Sequence, residues 1–432
     1  MSDTEKRLEH ESKNDSAWNF LFEKYDILHK IEQDGSFKIS ANQIREFREP
    51  RLMAKFDHSI NLPQIFKQNK LSILPVTRGD YIISCFNAYH KFETLSSNIV
   101  KANLPDYIQS LNVDAITSEA VALNCAYVSG IIADFLEDEQ LVPTVSGRMG
   151  SGNFEFKILD IKNRVQRIIN VNNSQIEIDA GYEGLQKFAL IEAKRDLSED
   201  FLVRQLYYPF RTWIEQVNKA VKPIFLVYSN GVFNLYEYKF DDPMEYSSIC
   251  LVKQKNYTVE SDTSITTDEI YQLLYAVHTV KEPEIAFPQA NSFERIINLC
   301  ELLQERPMTK DDITMKYDFD ARQTNYYTDA ARYLGLIEKQ KNGDIIFVLT
   351  AKGKSTLKLR YKQRQIAFCE AILSHKVFAD SLRLWFEKGT INNQDIVRLM
   401  KQNKLYNVES ESTYGRRAST IKRWLEWIVG LL

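Results

Sequence analysis

The sequence predicts a multidomain α/β (α+β) chain in which a central mixed β-sheet is flanked by helices. A helical N-terminal domain precedes the sheet and a helical C-terminal region follows it. Three observations lead there. The chain has 432 residues, more than one hydrophobic core usually organises, which points to roughly two to four domains. Residues 115–245 alternate helix-period and strand-period segments, whereas helical spacing dominates from residue 291. Residues 351–432 carry 16 Lys/Arg against seven Asp/Glu although the whole chain has a formal charge of −3, so a basic end closes an acidic body.

Composition narrows the class further. With 44% hydrophobic and 12% aromatic residues the chain is globular rather than disordered. Five widely spaced cysteines (Cys85, Cys125, Cys250, Cys300, Cys369) form no CxxC and no Cys/His zinc spacing, so reduced thiols in a cytoplasmic protein are expected. The N-terminus lacks the apolar core of a signal peptide, and no run of about 18 apolar residues is present. No membrane association is expected.

In chain order, residues 1–15 read as a polar lead within an N-terminal helical domain (1–114). Residues 17–31 carry apolar side chains at helical spacing, and Ser40 caps a second helix over 40–47. The stretch REPRLMAKFDHSINLPQIFKQNKLSILPVTRGDY mixes basic and aromatic residues, as a segment lying along a phosphate backbone does. An ordinary solvated basic face fits it equally.

The core, 115–245, opens with a helix over 117–137 capped by Ser118. SGRMGSGN reads as a turn, since it lacks the lysine and spacing of a phosphate-cradling loop. Strands follow over 154–159 and 165–171. Residues 175–194, QIEIDAGYEGLQKFALIEAK, form two more strands around a glycine-containing turn. A helix over 200–217 and strands over 224–228 and 232–238 complete the unit.

Residues 246–290 are a connector. From 291 to 356, helices over 293–303, a short one from Thr309 and one over 321–334 precede two strands joined at an Asn-Gly turn. Three helices plus a wing make a winged-helix layout, whose third helix would present Arg322, Gln323, Asn325 and Tyr326 to a major groove. Winged helices also serve as protein-binding modules. The basic helical end, 357–432, contains helices over 363–387 and 393–402. In its last helix Arg416, Arg417, Lys422 and Arg423 interleave with Ile421, Leu425 and Ile428, as in a helix resting on phosphates.

The candidate chemistry lies in the third and fourth strands of the core. Glu-x-Lys occurs at 11–13, 155–157, 192–194 and 237–239, so the tripeptide alone decides nothing. Glu11 lies in the polar lead, Glu155 follows acids that end a helix, and between Asp200 and Glu237 the one acid is Glu215, inside the helix expected over 200–217 rather than on a paired strand. Glu192 follows the apolar run Phe188-Ala189-Leu190-Ile191, and Asp179 ends a strand thirteen residues upstream. Period-two geometry places Glu192 and Lys194 on one strand face, with Glu177 and Asp179 together on the other strand.

Here the chain resembles the PD-(D/E)xK nuclease superfamily, with Ile178-Asp179 where Pro-Asp usually stands. The resemblance covers residues 115–240. The layout with an REPRLMAKFD segment and a closing RRASTIKRWLEWI helix is similar to a group of type II restriction endonucleases. It implies a restriction-endonuclease-like sheet and Mg²⁺ held by Asp179, Glu192 and the carbonyl of Ala193. Lys194 would hold or help deprotonate the attacking water. Glu119 and Gln205 stand where some relatives place accessory groups, though a first-turn glutamate and a helix-packing glutamine are the plainer readings.

The implied reaction is Mg²⁺-dependent hydrolysis of double-stranded DNA at a specific sequence, leaving 5′-phosphate and 3′-hydroxyl ends. A homodimer and a cognate DNA methyltransferase in the same system are the implied partners. Two other readings stay open, an inactive DNA-binding regulator with a nuclease-like sheet and a structure-specific repair or resolving nuclease. AKGKS at 351–355 has Val348 where a nucleotide loop needs its first glycine. No HExxH and no GxSxG supports a zinc or serine hydrolase.

Overall fold

The structure, a computed structural model, describes residues 13–93, 98–113, 116–260, 263–316, 319 and 321–432. Glu11 of the first Glu-x-Lys tripeptide and most of the polar lead lie outside the described residues. Near the N-terminus, the helix Lys13–Tyr25 turns Trp18, Leu21 and Phe22 inward. Trp18 and Phe22 meet Phe66 edge-on at 4.8 and 5.3 Å. Ser40 caps the helix Ala41–Arg45 through a reciprocal capping box with Gln43. The sequence reading of a helical N-terminal domain is corrected here, because the unit also contains a sheet. Phe37–Ser40, Asp80–Ser84 and Ser72–Pro75 form a three-stranded antiparallel sheet with Asp80–Ser84 in the middle. Four- and five-residue strands are too short to show a period-two pattern against neighbouring helices.

The centre of the molecule is a seven-stranded mixed sheet. Its strands are β1 (Ile99–Lys101), β2 (Val142–Gly150), β3 (Gln175–Glu183), β4 (Lys187–Lys194), β5 (Ala220–Ser229), β6 (Val232–Phe240) and β7 (Ile249–Thr258), in the spatial order β1-β7-β6-β5-β4-β3-β2. β4 and β5 are parallel neighbours, Lys194 opposite Val227. The crossover between them carries the helix α2 (Arg204–Trp213), as a parallel connection requires. Phe188, Leu190, Phe225 and Val227 pack on the α2 side. Ala189, Ile191, Ala193, Ile224 and Leu226 pack on the other, against α1 (Glu119–Val128) and the helix Ile131–Leu136. A strand buried on both faces is why 188–191 reads as one continuous apolar run.

Four sequence expectations change here. The helix over 117–137 breaks at Gly130, whose φ of 74° no α-helix accommodates. SGRMGSGN is not a turn, because most of it lies in edge strand β2, paired with β3. Glycines and solvent exposure on an edge conceal the strand. The hairpin Asn153–Asp160 and Val165–Asn172 forms its own two-stranded sheet instead of joining the central one. The helix expected from residue 200 starts at Arg204, since Asp200–Leu202 pairs with Tyr89–Lys91 as a strand. In addition, β7 lies in the stretch read as a connector, and β1 in the stretch read as the first domain.

Past residue 263 one continuous core runs from Ile265 to Ile428, so the two C-terminal segments separated in the sequence are one packed unit. In order come α3 (Phe293–Glu305), the short strand Met308–Thr309, α4 (Lys310–Lys316), α5 (Ala321–Tyr333) and the strands Ile337–Asn342 and Asp344–Leu349. Gly343 turns the hairpin at φ 77°. The helix expected over 363–387 is two, Tyr361–Leu373 and Lys376–Lys388, separated at Ser374-His375. Asn393–Asn403 and α6 (Glu411–Val429) close the chain. Trp424 of α6 is fully buried against Phe293 and Phe378, and its indole N–H donates to the Ala290 carbonyl at 2.7 Å. All five cysteines are free thiols. Among the described residues no helix is long and apolar enough to cross a membrane.

Candidate active site

The site begins where two strands part. β3 and β4 are paired from Phe188–Glu183 to Ile191–Ala180, and the ladder stops there. Ile176 and Ile178 pack on the α2 side while Ala180 and Tyr182 pack on the α1 side, so β3 swivels at Asp179. Its side chain takes over from the lost ladder, and the Ala193 N–H donates to Asp179 Oδ2 at 2.8 Å. In a strand the N–H and C=O of one residue point to the same edge. The Ala193 carbonyl therefore also faces Asp179 rather than β5.

Glu192 and Lys194, two residues apart, stand on one face of β4, with Lys194 Nζ 2.5 Å from Glu192 Oε1. α2 adds Gln205, whose Nε2 donates to the same oxygen at 2.7 Å. Burial pushes the Glu192 carboxyl up to about 7, with Lys194 opposing and Asp179 and Asp57 adding to the rise. Burial likewise raises Asp179, against the pull of Lys194 and the Ala193 N–H. Burial by itself would lower Lys194, but Glu192, Asp57, Glu119 and Asp179 outweigh it and hold the ammonium well above its ordinary value. Lys194 is thus a firmly protonated cation among four carboxylates.

A cleft of about 680 Å³ opens beside Lys194. Glu119, on the first turn of α1, lines it and is raised by burial while sensing Lys194, Asp196 and Glu192. Both accessory residues singled out from the sequence are therefore brought to the site, Gln205 by a hydrogen bond and Glu119 across the cleft.

Other contributors were not read from the sequence. Asp57 and His58 belong to the N-terminal unit and also line the cleft. His58 is 3% exposed, with Nδ1 2.6 Å from the Asp200 carbonyl and Nε2 3.0 Å from Asp196 Oδ2. Both partners are acceptors, so both ring nitrogens donate when Asp196 is ionised. Burial raises Asp196, but the His58 hydrogen bond overrides it and holds this carboxyl below its usual value. The Ser59 N–H donates to Asp200 Oδ1 at 2.9 Å. From the opposite side, Arg195 pairs with Glu305 of α3 and donates to the Thr117 carbonyl at 2.7 Å. These residues are 78 to 142 positions apart in sequence, and no local pattern joins them. The one available signal was the acid and histidine embedded in the basic KFDH.

The donor set suits a hard divalent ion. Among the described residues no group of three or more His, Cys, Asp or Glu side chains is placed to hold a metal. Mg²⁺ needs fewer, because it keeps several waters and shares its sphere with phosphate. Asp179, Glu192 and the Ala193 carbonyl are oxygen donors on adjoining strands. Gln205 Oε1 is buried with no partner, an orphan that a cation or its bound water would satisfy.

The remaining Glu-x-Lys tripeptides differ. Glu237 is 4% exposed and neutralised by Lys222 at 2.8 Å and Lys253 at 3.7 Å. Glu155 belongs to the separate hairpin. Of the residues proposed to touch DNA, Arg322, Asn325, Arg416 and Arg423 are exposed, while Gln323, Tyr326 and Lys422 are half-buried. Arg417 turns inward and donates to Gln289 at 2.5 Å, so the expectation of an outward phosphate contact does not hold for it. Burial lowers Arg417, and it senses Tyr326, Asp329 and Arg416. Arg417 of α6 thus stands within electrostatic reach of Tyr326 and Asp329 of α5.

Three family models match the chain, each described as a domain of unknown function: DUF6996 over residues 15–83, DUF6997 over 84–258 and DUF7226 over 295–432. No curated protein and no solved structure matches it. The middle match holds Asp179, Glu192 and Lys194, and its limits enclose the central sheet.

Proposed function

We propose that this protein is a Mg²⁺-dependent endonuclease that hydrolyses double-stranded DNA at a specific sequence, as type II restriction endonucleases do. The observation that carries the reading is the convergence of Asp179, Glu192 and Lys194 where β3 parts from β4, beside a cleft. Asp179 and Glu192, with the Ala193 carbonyl, would hold the ion. When bound, Mg²⁺ supplies Lewis-acid stabilisation of phosphate charge and a more acidic water.

The chain's own groups do the rest. Lys194 donates to the attacking water and offsets the negative charge that builds on phosphorus. Its carboxylate neighbours favour the ammonium form, which donates to that water and orients it. Gln205 fixes the Glu192 oxygen, and Glu119 keeps Lys194 charged from across the cleft. Attack forms a bond from the water oxygen to phosphorus as the bond to O3′ breaks; the water's proton passes to solvent and O3′ takes one up, leaving a 5′-phosphate and a 3′-hydroxyl.

Arg51, Lys55, Lys67 and Arg195 line the cleft and suit the backbone of a nucleic acid. The layout of 293–349 is that of a winged helix, with α5 as its reading helix and Arg416 beside it. One site cuts one strand, so this reading has two copies acting together on a duplex, with a cognate methyltransferase shielding the same sequence.

The test is incubation with plasmid DNA, Mg²⁺ against EDTA, with the ends sequenced. Discrete Mg²⁺-dependent fragments sharing a terminal sequence are expected, and Lys194→Ala should abolish them while leaving DNA binding within a few-fold. Undiminished cutting by Lys194→Ala, or no cutting by the wild type, refutes the assignment. Scattered ends refute sequence specificity.

A further inference from the structure

β4 reaches its end at Lys194 with little to hold it. Its pairing with β3 stops at Ile191 and its pairing with β5 stops at Lys194–Val227. The backbone immediately beyond is held by a side chain of the C-terminal unit. Asn298 of α3 is fully buried. Its Oδ1 accepts the Leu197 N–H at 3.1 Å and its Nδ2 donates to the Arg195 carbonyl at 2.7 Å.

Accepting from residue 197 and donating to residue 195 is the two-bond pattern by which a parallel strand grips its neighbour around residue 196. The amide of Asn298 thus adds one rung to the sheet, directly after the lysine. Its Nδ2 also lies 3.1 Å from Ser229 Oγ and 3.3 Å from Glu301 Oε2. Glu301 in turn accepts from Ser229 Oγ at 2.8 Å and from the Asn230 N–H at 2.9 Å. The ends of β4 and β5 are both fastened to α3, the first helix of the unit read as DNA-binding.

We propose that Asn298 is a positioning residue for Lys194, through which the seated C-terminal unit holds the end of β4 in its cutting geometry. This rests on the nuclease reading above. An amide meets both demands at once, whereas an aspartate retains the acceptor but loses the donor and sets a charge against Glu301. A leucine fills the space and makes neither bond. The contact is local to the catalytic strand. The same two units also meet through the side-chain amides of Asn230 and Gln365, at 2.9 and 3.1 Å, and that pair does not touch residues 194–197.

The experiment uses the full chain and a plasmid, comparing wild type, Asn298→Ala, Asn298→Leu, Asn298→Asp and the control Asn230→Ala. Single-turnover cutting is measured with Mg²⁺, DNA affinity with Ca²⁺, and hydrogen exchange over residues 194–200. The Asn298 variants should cut ~10- to 100-fold more slowly, the range expected of an ångström-scale misplacement, with affinity within about twofold. Exchange over 194–200 should quicken, while Asn230→Ala cuts and exchanges there like wild type. Wild-type cutting by the Asn298 variants overturns the proposal. So does equal slowing by Asn230→Ala, which would mark docking in general, or unchanged exchange over 194–200, which is readable even in a variant of low stability. A wild type that does not cut, with exchange still accelerated in the variants, would remove the nuclease reading and leave the brace on the strand standing.

Discussion

Acidification should loosen the C-terminal unit through His375. This residue is 3% exposed, sits between two helices, and stacks on Tyr333 of α5 at 4.2 Å. Burial, with Lys352 nearby, lowers its pKa from 6.5 to about 4, a Tyr333 backbone contact opposing. Unfolded chains protonate this ring below 6.5, whereas the folded unit resists until about 4. Between these values the unfolded state binds more protons, so stability falls as pH falls. At about 1.4 kcal/mol per pH unit the full loss approaches about 3 kcal/mol, and about 2 kcal/mol of it lies between pH 7 and pH 5. For a unit of this size that is a fall of about 4–8 °C in the melting temperature. Trp385, Trp424 and Trp427 all belong to the unit's core or pack on it, so tryptophan fluorescence follows its melting. His375→Phe retains an aromatic stack and removes the titration, which isolates this ring from the other acid-sensitive groups. Parallel loss of melting temperature in wild type and His375→Phe from pH 7 to pH 5 refutes the reasoning.

Three further outcomes are expected. Glu237→Gln should cut DNA like wild type, since Lys222 and Lys253 neutralise this look-alike three strands across the sheet from β3, while Lys222→Ala should lose about 2 kcal/mol in urea unfolding by leaving a buried carboxylate half-paired. Equal stability of Lys222→Ala and wild type counts against that pairing. Replacing Arg322 and Arg416 together with alanine should flatten the slope of log affinity against log salt by about 1–2, measured by anisotropy on duplex DNA. An unchanged slope places the phosphate contacts elsewhere.

What was readable from sequence followed the range of the forces involved. The run 188–191 announced a strand buried on both sides, and Asp179 and Glu192 stood out as acids on neighbouring strands, although Asp179 lies midway along β3 (Gln175–Glu183) and not at a strand end as expected, because the strand continues through Gly181 after the swivel. The order of elements from 293 to 349 was equally plain, since caps, helical spacing and an Asn-Gly turn are local signals. The edge strand β2 was not, because its glycines and exposed side chains have the composition of a loop. Nor was the swivel at Asp179, which arises from packing on two different cores. Gln205 was noticed, but its hydrogen bond to Glu192 spans a crossover that no local pattern reveals. His58 and Asn298 escaped notice because their partners lie more than a hundred residues away, where no periodicity reaches, and Asp57 because only the fold brings it beside Lys194.

The rung supplied by Asn298 also has a consequence in time. Protein synthesis proceeds at roughly 5–20 residues per second, so Asn298 emerges roughly 5–20 s after Lys194, and α6, which packs against α3, later still. A chain still on the ribosome, or one truncated before α3, carries Asp179, Glu192 and Lys194 with the end of β4 unbraced. The bonds from Asn298 close over a strand end that has waited for a hundred further residues to be made.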